Sequence, residues 1–117
     1  MKKRLMIDLD GVLNNYTKYE ENFIPEIKEG AKEFLEKLYN SEKYELVLFT
    51  TRNFELAQKW LKKENIDYYF KEITNLKKPA SIYIDDRALK FNGNFNETLK
   101  DIEKFRVYWE NKKNYAR

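Results

Sequence analysis

The sequence predicts an α/β fold, with a mostly parallel sheet covered by helices on both sides. Two observations predict it. Short apolar runs, "LMID", "YELVLFT" and "SIYI", alternate with longer segments of helical period. The strand-like runs are apolar almost throughout, as strands buried on both faces are. The length of 117 residues fits one domain spanning residues 1–117.

Residues 4–8 are the predicted first strand. Residues 27–39, "IKEGAKEFLEKLY", are predicted helical, with Ile27, Ala31, Phe34, Leu35 and Leu38 on one face. Residues 44–50 form a second buried strand. Residues 54–64 form a helix with Ala57, Trp60 and Leu61 inward. "DYYF", 67–70, is predicted as a third strand, residues 81–84 as a fourth, and "ALKF", 88–91, as a short edge strand. Asn96 is placed to cap a final helix whose face is Leu99, Ile102, Phe105 or Arg106, and Trp109.

Composition narrows the chemistry. The chain has no cysteine and no histidine. Thiolate nucleophiles, disulfides, Cys-ligated metals and imidazole bases are therefore excluded. What remains is carboxylates, lysines, hydroxyls and hard cations. No apolar run approaches the roughly 20 residues of a membrane span, and the basic start "MKKRLMIDLD" regains charge too soon for a signal-peptide core. A cytoplasmic protein with no membrane partner is the expectation. The net charge of +3 lies in residues 100–117, which hold six basic and three acidic side chains. A solvated helix face explains this tail. A phosphate-rich partner is the sharper reading.

In open α/β sheets, ligands bind beyond the carboxyl ends of the strands. Polar residues gather at those ends here. Asp8 and Asp10 follow strand one, Thr50, Thr51 and Arg52 follow strand two, and Asp85 and Asp86 follow strand four. Lys77 and Lys78 precede strand four. Each group has an ordinary alternative: Gly11 makes a turn at Asp10, Arg52 suits a surface ion pair, and lysines are usually solvated. Two carboxylate pairs at one sheet edge need a counter-ion, and such oxygen ligands suit Mg2+.

"DLDGVL", "VLFTTR" and "KKPASIYIDDRA", in this order, resemble the haloacid dehalogenase-like (HAD) superfamily of phosphohydrolases. "KKPASIYIDDRALKFNG" also resembles a subgroup of small HAD-like proteins of bacteria and phages. The resemblance implies a Rossmann-like core and a magnesium-dependent phosphatase. Asp8 matches the nucleophile that becomes an aspartyl phosphate. Asp10 matches the acid/base residue, with its backbone carbonyl on the metal. Thr50 matches the hydroxyl that holds the phosphoryl group. Lys77, with Lys78 as its alternative, matches the cation, and Asp85 and Asp86 match metal ligands. Thr51, Arg52 and Lys78 are candidate substrate contacts.

Only 40 positions separate Asp10 from Thr50 and 27 separate Thr50 from Lys77, so neither gap holds the cap domain common in that superfamily. The expected site is open, covered at most by residues 14–24, whose Tyr16, Tyr19 and Phe23 form a flap or pack on the core. An open site implies a large phosphorylated substrate, such as a nucleotide or nucleic-acid end, or a second subunit as lid. The alternatives are a non-catalytic module that binds metal and phosphate, and a phosphotransferase.

Overall fold

A computed structural model describes residues 1–110. Four strands, β1 (Lys3–Asp8), β2 (Tyr44–Phe49), β3 (Phe70–Thr74) and β4 (Ile82–Ile84), form one sheet in the order β3-β2-β1-β4, every pair parallel. Helix α1 (Ala31–Asn40) links β1 to β2, and α2 (Phe54–Lys63) with a 3-10 turn (Asp67–Tyr69) links β2 to β3. Both are crossovers stepping the same way along the sheet, so right-handedness sends them to the same face. Leu5, Ile7, Leu46 and Leu48 on that face join Leu35, Ala57 and Leu61 in one core. Met6 and Val47 point to the opposite face and are also buried. The chain adopts the expected α/β class, and the sheet expected to be mostly parallel is parallel throughout.

Contacts divide the chain into two compact units, Met1–Asp85 and a second starting at Asp86. The second carries α3 (Phe95–Lys104). Lys112, Lys113 and Arg117 of the basic tail lie outside the described residues.

Several predicted boundaries move. Helix α1 starts at Ala31, not residue 27, because Gly30 takes a left-handed φ of 91°. Ile27 instead bridges Asn14 in antiparallel fashion, and Phe34 lies on the exposed side of α1. A Cβ at Gly30 would meet no atom within 4 Å, so only the backbone conformation resists substitution. Gly30→Ala should therefore cost about 1 kcal/mol, read as a lower urea midpoint with an unchanged slope.

Residues 67–69 form the 3-10 turn, and β3 begins at Phe70 where strand three was expected to end. The aromatic run favours a strand by propensity. The turn instead buries Tyr69, whose ring meets Tyr39 edge-on at 5.3 Å, while Tyr68 stays exposed. A register shift beside Leu46 and Val47 then seats Phe70 opposite Leu46 and Glu72 opposite Val47. Residues 88–91 form no strand; Phe91 packs on Phe95 at 5.1 Å. Helix α3 is capped by Asn94 rather than Asn96: the Asn94 side chain accepts from the Glu97 N–H at 3.0 Å. Asn94 with Glu97 three residues on matches the capping-box spacing. Phe105, Arg106 and Trp109 fall beyond the end of α3.

The Tyr68 neighbour and burial push the Tyr69 phenol up to about 12. The folded chain thus keeps a proton that the unfolded chain releases near its ordinary value of 10.0. Its stabilising contribution is complete below pH 10 and declines as pH rises towards 12. Urea midpoints across that range should fall more steeply for wild type than for Tyr69→Phe. Parallel curves would remove Tyr69 as the cause.

Candidate functional site

The site is set by the register of β1 with its two neighbours. Ile7 pairs with Ile84, so Asp8 and Asp85 leave adjacent strands side by side. Asp8 pairs with Phe49, so Thr50 follows on the other side, its N–H donating to the Thr74 carbonyl at 3.0 Å. β1 holds the middle of the three because its residues Leu5–Ile7 are apolar on both faces and wholly buried.

Asp8, Asp85 and Asp86 each offer a carboxylate oxygen, and these oxygens all lie within 4.8 Å of one another. Asp8 and Asp86 are half-buried and Asp85 is exposed. Asp86 also accepts from the Trp109 indole N–H. Three hard oxygen donors gathered in this way could hold a metal ion, and without a cation they repel.

Asp10 is held on both oxygens. Oδ2 accepts from Arg52 Nε at 2.7 Å, and Oδ1 accepts from the Asn14 amide at 2.9 Å. Asn14 is fully buried, and its own Oδ1 accepts from the Gly11 N–H at 3.1 Å. This closes a turn around Gly11, whose φ is 85°. The turn and the polar network are one structure. Each Asp10 oxygen keeps a second lone pair for a proton.

Thr50 is buried, and its hydroxyl oxygen accepts from the Arg52 N–H at 3.1 Å, leaving its proton to donate. Thr51 is exposed just beyond it. Arg52, a candidate substrate contact with a surface ion pair as its alternative, is buried, its side chain 1% exposed, so its ion pair is not a surface one. Nη1 donates to the Glu20 carbonyl at 2.9 Å, the guanidinium lies 5.1 Å from the Tyr19 ring centroid, and Nη2 is buried without a hydrogen-bond partner among the described residues.

The lysines are turned elsewhere. Lys78 Nζ pairs with both oxygens of Glu72, at 2.8 and 2.9 Å, and Lys77 Nζ lies 4.7 Å from the Tyr83 ring centroid. The structure thus brings together Asp8, Asp85 and Asp86, holds Asp10 and Thr50 at the same sheet edge, and gives the two ammonium groups other partners. Of the aromatic residues in the 14–24 segment, Tyr19 and Phe23 are exposed and Tyr16 is half-buried, while the aliphatic Ile24 enters the core. Asn14 escaped the sequence reading. Its signal was an amide directly after the apolar Val12 and Leu13, four residues past Asp10.

No family model matches the chain, and no curated protein does. A solved structure of a conserved protein from Bacteroides thetaiotaomicron is similar, with a TM-score of 0.57 and 20% identity over 92% of this chain and 95% of that one. At that identity the likeness is one of fold. It agrees with the α/β architecture described above.

Proposed function

We propose that the chain is a magnesium-dependent phosphohydrolase of the HAD-like kind, working through an aspartyl phosphate. The observation that carries this reading is the convergence of Asp8, Asp85 and Asp86 beside Thr50, with Asp10 held two residues beyond Asp8. Asp8, Asp85, Asp86 and the Asp10 carbonyl would hold Mg2+, which would neutralise the repulsion between carboxylate and phosphate.

The chain's own groups then divide the work. An Asp8 oxygen attacks phosphorus while the bond to the leaving oxygen breaks, and Asp10 gives that oxygen its proton. Asp10, now a carboxylate, takes a proton from water, which attacks phosphorus and releases phosphate from Asp8. The Thr50 hydroxyl donates to a phosphoryl oxygen. The cation comes from Lys77 or Lys78. Lys78 is held by a half-exposed ion pair, and such pairs contribute about 0–1 kcal/mol. An exposed cation–π contact holds Lys77, at about 0.5–1 kcal/mol. Either is small beside the pull of a dianionic phosphate. A site without a cap domain fits a phosphorylated nucleotide or nucleic-acid end.

The test is phosphate release from an aryl phosphate, with Mg2+ and with chelator, followed by 5′- and 3′-phosphorylated oligonucleotides and sugar phosphates. Release that stops on chelation is expected, with the oligonucleotide ends preferred. Metal-independent release would sink the mechanism. Ligand-induced stabilisation without release from any substrate would replace it with a binding module, and transfer to an added alcohol would replace it with a phosphotransferase.

A further inference from the structure

A buried guanidinium with one nitrogen unpaired calls for an explanation, because leaving such a donor unsatisfied costs free energy. Arg52 is this case. Its remaining donors are not spread at random. Nε goes to Asp10, Nη1 goes to the Glu20 carbonyl, and the backbone N–H goes to the Thr50 hydroxyl. One residue thus touches the proposed proton donor, the proposed phosphoryl-holding hydroxyl, and the 14–24 segment.

That segment is closed at its base and pinned above. Asn14 and Ile27 bridge, the Asn15 N–H donates to the Glu26 carbonyl at 3.0 Å, and Trp60 Nε1 donates to the Pro25 carbonyl at 3.1 Å. Between these anchors, Arg52 supplies the hydrogen bond to Glu20 and the cationic face over Tyr19. The guanidinium is planar, so one Nη2–H runs parallel to Nε–H, on the edge that faces Asp10.

Resting on the phosphohydrolase reading, we infer that Arg52 is the positioning residue for Asp10, and that it pins residues 15–24 as the lid of the site. Its free Nη2 takes an oxygen of the bound phosphate ester. Arg52 therefore acts through Asp10 on departure of the leaving group, and through Glu20 on the lid. A lysine at this place keeps the charge and loses the fork, so it cannot hold both partners at once.

The leaving group exposes the difference. Protonation by Asp10 matters for an alkyl phosphate, whose alkoxide leaves poorly, and matters little for nitrophenyl phosphate. Arg52→Lys should lower kcat/KM, which reports only the transfer to Asp8 and not the later hydrolysis common to all substrates, by about 100-fold on an alkyl phosphate, within the range that a positioned acid contributes. The loss of kcat/KM on nitrophenyl phosphate, which reflects only the phosphate contact, should be at least about tenfold smaller at the same Mg2+ concentration. Equal losses on both substrates, or none, would overturn the positioning role. Hydrogen exchange reads the lid without any turnover: the amides of residues 20–23 should exchange at least about tenfold faster in Arg52→Lys. Tyr19→Ala alters an exposed ring and spares the core, so it tests the lid if Arg52→Lys does not fold. It should speed the same amides by roughly threefold. Unchanged exchange in both variants would overturn the lid. Inorganic phosphate with Mg2+ should shift the Arg52 side-chain nitrogen signals in wild type, and their failure to move would remove the Nη2 contact. If wild type proves inactive on every substrate while exchange responds as expected, the phosphohydrolase reading fails and the pinned lid stands.

Discussion

Asp8→Asn should lower magnesium-dependent phosphate release by at least about 1,000-fold, the scale on which loss of a covalent nucleophile is felt. The amide has nearly the shape of the carboxylate but neither its charge nor its nucleophilicity. The fold should not suffer. Asp8 stands at the end of β1 with the oxygens of Asp85 and Asp86 within 4.8 Å, so removing its charge relieves repulsion. In chelator, the variant's urea midpoint should equal or exceed that of wild type. In Mg2+ the order should reverse, because wild type gains binding energy that the variant has lost. Full activity in the variant would end the nucleophile assignment. A midpoint that ignores Mg2+ in wild type would end the metal assignment.

Arg52→Ala should lower the unfolding free energy by about 3–5 kcal/mol, the cost of removing one partner of a buried ion pair. The Arg52 side chain is 1% exposed and that of Asp10 19%, so the abandoned Asp10 charge gains only limited help from water. The damage should be non-additive. With Asp10 also replaced by Ala, no orphaned charge remains, and the double variant should be less destabilised than the two single losses summed. The difference, read from urea unfolding of all four proteins, should be at least about 1 kcal/mol. Strict additivity would mean that the 2.7 Å contact contributes nothing beyond its two residues taken singly.

The parts of the site that follow from strand termini were legible in the sequence. Each buried strand is an apolar run that stops at a polar residue, and a parallel sheet aligns those stops. Asp8, Thr50 and Asp85 could thus be placed together before any coordinates. What depends on side-chain partners was not legible. Lys78 turns to Glu72 because a register shift in β3 seats Glu72 opposite Val47, and no local pattern announces that shift. Arg52 reads as a surface residue by type, and its burial comes from a segment 32 positions earlier whose carbonyl it meets. Gly30 was read inside a helix because the apolar spacing of Ile27 and Ala31 is helical. The left-handed φ that breaks the spacing shows only in the backbone.

The central place of β1 has a consequence in time. Its residue Leu5 pairs with Leu46 on one side and with Ile82 on the other. Of these four strands, the one made first is therefore completed by the one made last. Until Ile82–Ile84 has been made, β1 keeps an open edge of unpaired amides and carbonyls, able to template a foreign strand. Closing that second, longer chain loop costs only about 0.6 kcal/mol more than closing the first. The exposure is thus a matter of synthesis order, not of unfavourable entropy. It ends at the moment Asp85 is delivered beside Asp8, so a nascent chain whose β1 edge is covered also holds that carboxylate pair.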